Sequence, residues 1–446
     1  LVKESLLHNL LESALDSQRV LPREEAASYA VDGVIPQVVT LPVTVEEVAE
    51  VMRLASREDA AVIPWGGGTA ISLGNVPRRY DIALCLSRLN QVVEHEPADL
   101  TATVQAGMTL ADLQRHLAES GQFLALDPPM GQDVTIGGIL AANASGPSRH
   151  AYGTARDLVL GMRAVQADGR IIKAGGRVVK NVAGYDLSRL FIGSLGSLSI
   201  IVEACFRLAP LPRAERTAVV SLPSAQEAWR FIAQTANLSL RAVELLNAAA
   251  VRQTATLGDA AKDGYALVLA AAGEPAAVEH SLKEIGELSR RAAAASLAKV
   301  DDRAQGPLWQ AIAGLTRPSP SDAGLVCKAA VLPSQVPTLS EQIETTGREL
   351  GLEPLVVSHL TAGIVYSAWP LPQDEGVQRP LDLATTLRRA VARLAGSLVV
   401  EACPLALKER IDVWGDSAAD FPLMRRIKEQ FDPQGILSPG RFLGRL

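Results

Sequence analysis

Backbone amides, more than reactive side chains, are the chemically suggestive groups of this chain. In VIPWGGGTAISLG an apolar, strand-like run ends at Pro64, and Gly66, Gly67 and Gly68 follow in succession. Consecutive residues without a Cβ let N–H groups turn inward and approach a ligand closely. A concave row of such amides favours anions, phosphate above all. Gly137 and Gly138, within DVTIGGILAANASG, stand where a helix is expected to begin. Orphan N–H groups and the positive end of the helix dipole suit phosphate there too. A third glycine-punctuated entry into a strand is GSLGSLSIIVEA, from Gly193. Taken singly, each of these loops also reads as an ordinary turn. Together, two separated anion cradles suit a pyrophosphate better than one phosphate, and a dinucleotide is the expected ligand. No G-x-G-x-x-G opens a βαβ unit and no G-x-x-x-x-G-K-[ST] occurs, which disfavours a Rossmann domain and a P-loop NTPase.

The elements that must hold these loops are legible around them. Thr44 to Glu47 has the spacing of a capping box, followed by the apolar stripe Val45, Val48, Val51 and Leu54. That helix leads into a strand at Ala61–Pro64. Ile82–Leu86 and Thr101–Gln105 read as strands, and Thr109 to Asp112 as a second capping box opening a helix towards Glu119. Leu158–Gln166 and Arg170–Ala174 read as a hairpin about Asp168-Gly169, and Asp186 as the cap of a short helix. Leu198–Leu208 is a further strand, closed by Pro210 and Pro212. An α+β organisation follows: an N-terminal helical segment over 1–30, an alternating region over 31–210, an Ala-rich region over 211–400, and a tail over 401–446 that returns to the first region. In the Ala-rich region, strands such as Thr217–Leu222, Tyr265–Ala270 and Leu355–His359 alternate with helices near 224–236, 276–294 and 338–350. This pattern suggests an antiparallel sheet backed by helices, a duplicated ferredoxin-like unit.

Composition narrows the classes further. Of 446 residues, 48% are hydrophobic and 21% charged, enough for about two or three domains with sizeable cores. Aromatics at 4% and a net charge of −6 leave neither stacking platforms nor a basic footprint for nucleic acid. No apolar run is long enough for a spanning helix. The first residues carry Leu6, Leu7, Leu10, Leu11 and Leu15 at helical spacing, interrupted by Glu4, Glu12 and Asp16, which suits an amphipathic helix rather than a secretory segment. Cys85, Cys205, Cys327 and Cys403 are scattered among apolar neighbours, so no iron–sulfur cluster and a reducing, cytoplasmic setting are expected.

The motifs PWGGGTAISLG, QAGMTLADL, TIGGILAANASG, YGTARDLVLG, VVKNVAGYDL and GSLGSLSIIVEA occur in an order that resembles the FAD-binding domains of the p-cresol methylhydroxylase and vanillyl-alcohol oxidase superfamily. The tail FDPQGILSPGRF is similar to that superfamily's common ending, and with VVKNVAGYDL it most resembles the smaller flavoprotein subunits of bacterial glycolate oxidases. The resemblance implies a two-part FAD-binding domain, an antiparallel cap and FAD as cofactor. It implies a pyrophosphate loop of Gly66, Gly67, Gly68, Thr69 and Ala70 beside Trp65. It implies a second wall of Thr135, Gly137, Gly138 and Ser145, with Asp127 and Pro128 touching the cofactor and Ile200 and Ile201 near the ring. Covalently flavinylated relatives often carry a histidine beside the glycine loop; Trp65 stands here, so noncovalent FAD is expected.

Related dehydrogenases often have an H-x-G-x-G-x-x-H segment in the cap, some of them around a metal, whereas SHLTAGIVY keeps His359 and one glycine only. No metal is expected, and His359 reads either as a satisfied histidine or as a base. Arg441, in SPGRF, reads as a carboxylate clamp or as an ion pair locking the tail. Arg149 and His150 read as substrate-facing or as surface contacts, and Lys180 and Asn181 as a support beneath the cofactor or a structural pair. Tyr152, Arg156 and Asp157 read as a functional group or as an internal salt-bridged turn. The resemblance implies hydride transfer from the Cα of a D-2-hydroxy acid such as glycolate to flavin N5. It also implies a second flavoprotein subunit and an iron–sulfur subunit as partners, no nucleic acid, and contact with a membrane only through partners. A noncatalytic, flavin-binding electron-relay subunit is the alternative, because the histidine motif is incomplete.

Overall fold

The computed structural model describes residues 2–129 (side chains from Leu6), 131–176, 185–258, 264–292, 296–317, 324–371, 376–416 and 419–446. Most of VVKNVAGYDL, including Lys180 and Asn181, lies outside them. Two sheets frame the first half. Strands Val20–Pro22, Val38–Thr40, Ile82–Cys85 and Val62–Trp65 form a four-stranded sheet in that spatial order. Its last two pairings are parallel, with Val62 opposite Ile82 and Trp65 opposite Cys85. Strands Val92–Glu96, Thr101–Gln105, Ile200–Arg207, Val159–Val165 and Ile171–Gly175 form a five-stranded antiparallel sheet.

Local chemistry explains the elements that aim the loops. Thr44 accepts the N–H of Glu47 and so starts helix Val45–Arg57, while the Glu47 carboxylate reaches back to the N–H of Val43 rather than of Thr44. Val48, Val51, Met52 and Ala55 of this helix are buried against Val62, Ile82 and Leu84. Each valine or methionine side chain so removed from water contributes about 1.5–3 kcal/mol. The same core takes in Ile200 and Val202 of the second sheet, so the two sheets are packed as one body. Asp168-Gly169 turns the expected hairpin, with Gln166 N–H donating to Arg170 O and Gly169 at φ +80°.

The second half is built on an eight-stranded sheet whose pairings are all antiparallel. Its spatial order is Ser296–Lys299, Ala214–Leu222, Tyr265–Gly273, Leu240–Asn247, Leu355–His359, Ile364–Trp369, Leu325–Ala330, Ser397–Ala402. Taken by sequence, each half of the sheet repeats the spatial order fourth-first-third-second. The halves meet where Glu244 lies opposite His359. One face packs on helices 225–232, 275–291, 336–350 and 378–393 through a large apolar cluster. The other is covered by helix 302–316 over part of its width, and meets the first half through the short helix Arg149–Tyr152 against Leu240–Asn247.

The tail is stitched to the first half. Val62 N–H donates to Ile436 O and Ser438 N–H to Val62 O, extending the four-stranded sheet by a parallel bridge between Val62 and Leu437. Lys428, buried at the end of helix Phe421–Phe431, donates to Asp432 (2.5 Å), Ser197 O and Leu437 O. No helix among the described residues is long and apolar enough to cross a membrane.

Candidate cofactor site

The strand Val62–Trp65 delivers the triple glycine to a cavity of about 780 Å³ of atom-free space between the two sheets of the first half. Trp65, Gly66, Gly67, Gly68, Thr69 and Ala70 line one side. Thr135, Gly137 and Gly138 line another, and Ile201, Ser199, Gly196 and Arg441 close it. The two glycine loops touch. A Cβ on Gly66 would sit 2.2 Å from Thr135 Oγ1, and one on Gly67 would sit 1.9 Å from Asp133 O. Gly68 has φ +71°, and a Cβ there would meet the Trp65 ring at 2.9 Å.

The two loops differ in what they offer. The N–H groups of Gly66, Gly67, Gly68 and Ala70 make no hydrogen bond within the described residues, so four donors remain for a ligand. At the other loop the donors are already spent. Thr135 caps the short helix Ile136–Ala142 by accepting the Gly138 N–H (3.2 Å), and Gly137 donates to Ala106 O (2.7 Å). The helix-start cradle expected from sequence is therefore corrected. Gly137 is required for close packing, since its Cβ would lie 2.9 Å from that of Ala106, and it presents a bare backbone surface rather than donors. Two buried polar atoms on the lining have no partner: Ser199 Oγ and Arg441 Nε. Free amides and unpaired donors in a largely apolar cleft fit a ligand with anionic oxygens and a flat apolar ring.

Of the other residues expected here, four are not on the lining. Ile200 is fully buried in the core between the sheets, because successive strand residues point to opposite faces and Ile201 takes the cavity side. Asp127 accepts the Ser148 N–H (2.9 Å) and faces Arg241 at 3.6 Å, and its neighbour Pro128 is outside the cavity as well. Ser145 sits in a small recess with Pro129, Thr316 and His359. Sequence reasoning missed Leu86, Ala106, Ala141, Ala142, Leu195, Gly196 and Ser199, although all but Leu86 fall inside quoted motifs.

Residues 36–175 match the family model described as "FAD binding domain", and residues 211–442 match "FAD linked oxidases, C-terminal domain". The chain belongs to the FAD-linked oxidases. It is 30% identical to a D-lactate dehydrogenase of Archaeoglobus fulgidus over 92% of each chain. It is 26% identical to the glycolate oxidase subunit GlcD of Bacillus subtilis, over 92% of this chain and 90% of the relative. Among solved structures, p-cresol methylhydroxylase superposes with a TM-score of 0.77 at 15% identity, covering 99% of this chain and 96% of that one, a likeness of fold.

On the oxidase's second half, a polar row crosses five neighbouring strands. Glu244 Oε1 lies 2.6 Å from His359 Nδ1, and the His359 ring meets the Tyr366 ring edge-on at 5.5 Å. Lys328 Nζ lies over the Tyr366 ring at 5.6 Å and 3.6 Å from Glu401. Glu244 is fully buried with Oε2 unpartnered, and burial first of all raises its pKa, opposed by the His359 charge. Tyr366 stands where the two-histidine segment would place its second histidine. Among the described residues no group of three or more His, Cys, Asp or Glu could hold a metal.

Among the remaining candidates, Arg149 lies in the electrostatic field of Glu244, Lys328 and Tyr366. His150 Nδ1 lies 2.7 Å from Thr361 Oγ1, joining the two halves beside Arg149. Asp157 accepts from the N–H and hydroxyl of Thr154 in a capping box, and those hydrogen bonds hold its carboxyl below the ordinary range. Arg156 donates to Ile192 O instead of pairing with Asp157. The ring of Tyr152 packs edge-on against Phe123.

Proposed function

We propose that this FAD-linked oxidase acts on small 2-hydroxy acids as a flavoprotein subunit of a glycolate-oxidising complex. The observation that carries the reading is the meeting of the two glycine loops in one cavity with four free amides. The names of the relatives supply the substrate class: one oxidises D-lactate, another is part of a glycolate oxidase. FAD would be held noncovalently by Trp65, Gly66, Gly67, Gly68, Thr69, Ala70, Thr135, Gly137, Gly138 and Ile201. Bound there, FAD supplies the hydride acceptor. The chain's own residues would exclude water, through the apolar walls of Leu86, Ala106 and Ile201, and would receive the hydroxyl proton. His359 would be that group: Glu244 holds its Nδ1, and Nε2 would accept the proton. Electrons would leave to an iron–sulfur partner, and a second flavoprotein subunit would complete a cytoplasmic assembly that meets a membrane only through its partners.

A noncatalytic relay role is the second reading, favoured by one observation. His359 is only 4% exposed and its row holds a tyrosine and a lysine in place of further histidines. Anaerobic mixing with glycolate and D-lactate separates the two. Bleaching of the flavin absorbance in the isolated chain supports catalysis. Bleaching only in the co-purified complex supports the relay, and none in either sinks both.

A further inference from the structure

Arg441 is an uncompensated cation inside the cavity wall. It is 3% exposed, and its Nη2 donates to Ile71 O and Leu73 O at the end of the glycine loop. Its Nε has no partner and it lines the cavity. Burial lowers its pKa to about 10, so it remains a cation at neutral pH. Buried charges are ordinarily paired. Asp32, the nearest carboxylate in its field, is taken by Lys408 at 2.6 and 2.8 Å, and Lys408 also donates to Ser72 O. Tyr80, the other group in that field, is kept neutral by burial, which raises its phenol. Carbonyl oxygens solvate the guanidinium without neutralising it. Among the described residues, no carboxylate pairs with Arg441.

The rest of the cavity says which anion would pair with it. The amides of Gly137 and Gly138 are spent, so the second loop cannot balance a second phosphate. Among the described residues, none between Ile201 and Arg441 lines the cavity, so the polar row of the second half is not part of its wall. That placement argues against Arg441 as a clamp for a substrate carboxylate. Resting on the reading of this cavity as the FAD site, we infer that Arg441 is the fixed counter-charge of the FAD diphosphate, acting with the free amides of Gly66, Gly67, Gly68 and Ala70. The oxidised ring of FAD is neutral, and the diphosphate carries its permanent charge. Arg441 also ties the tail to the loop: its carbonyl accepts from Asn75 N–H and Trp414 Nε1.

The test compares FAD with riboflavin, which has the ring but no phosphate, by quenching of flavin fluorescence on apoprotein. In R441Q, FAD affinity should fall roughly 50-fold or more, as for a lost charge-assisted bond, with riboflavin affinity unchanged. R441K, which keeps the charge and can reach a carbonyl, should lose about tenfold for FAD alone. Equal weakening of both ligands, or FAD affinity in R441Q within about threefold of wild type, overturns the assignment. Should R441Q fail to fold, as judged by circular dichroism, R441K decides by the same ratio. Failure of the wild-type chain to take up FAD at all would instead sink the cavity reading itself.

Discussion

In the cavity of the first half, most inward-facing polar groups belong to the backbone: free amides of residues 66–68 and 70, with Arg441 and Ser199 as side-chain additions. On the sheet of the second half the polar row is made of side chains, Glu244, His359, Tyr366, Lys328 and Glu401, one from each of five adjacent strands. The two regions therefore tolerate change differently. A backbone cradle ignores the identity of neighbouring side chains but fails when a Cβ is added at a point of contact. A side-chain row changes chemistry with each substitution, and breaking its buried Glu244–His359 pair also costs stability. This is how one architecture can keep a cofactor constant while its second half varies the reaction.

The sharpest way to break the cavity side is Gly67→Val. Its first added atom would lie 1.9 Å from the Asp133 carbonyl, a backbone atom that cannot rotate away. Flavin content of the purified chain should fall below detection, with affinity down at least about 100-fold. Gly286→Ala, whose Cβ meets nothing nearer than 3.6 Å, should keep its flavin. Loss of flavin from both variants would show that the loss reflects general instability. On the row side, His359→Gln keeps the size and a hydrogen-bonding group. If His359 receives the substrate proton, the rate of flavin reduction should fall by about 10² or more, with flavin content unchanged. A fall under about threefold would remove His359 from the chemistry and favour the relay role.

The same contrast decided what could be read from the chain alone. Glycine runs, N-caps at Thr44 and Thr109 and the Asp168-Gly169 turn are local signals, carried by a few adjacent residues, and the structure shows these elements. Ile200 and Ile201 illustrate the limit. Both are apolar on a strand buried on both faces, so alternation gives no clue to which one faces the cavity. The spending of the Gly137 amide was equally hidden, because its acceptor, Ala106, is distant in sequence. The polar row was invisible for the same reason: Glu244 and His359 become neighbours only through strand pairing across the middle of the eight-stranded sheet. The likeness of the motifs named a flavin where the spacing of glycines could indicate only a dinucleotide.

The smallest effect sharpens the row rather than breaking it. Burial raises the Glu244 pKa above 4.5, reinforced by Asp127 and opposed by His359 and Arg149. Over the window from 4.5 up to that raised value the folded chain holds a proton that the unfolded chain has released. Stability must therefore fall as pH rises through the window. Asp127, also raised by burial, adds a slope of the same sign. Glu244→Gln fixes the neutral form, so its urea midpoints should decline less steeply with pH than those of wild type, the remaining slope belonging to Asp127 and other groups. Parallel profiles would mean that Glu244 titrates alike in both states, and that its bond to His359 fully offsets its burial. A flattened profile would show the opposite, a carboxyl kept from full ionisation by its setting. The His359 ring would then stand beside a reluctant anion, whereas Arg441 at the cavity keeps its charge.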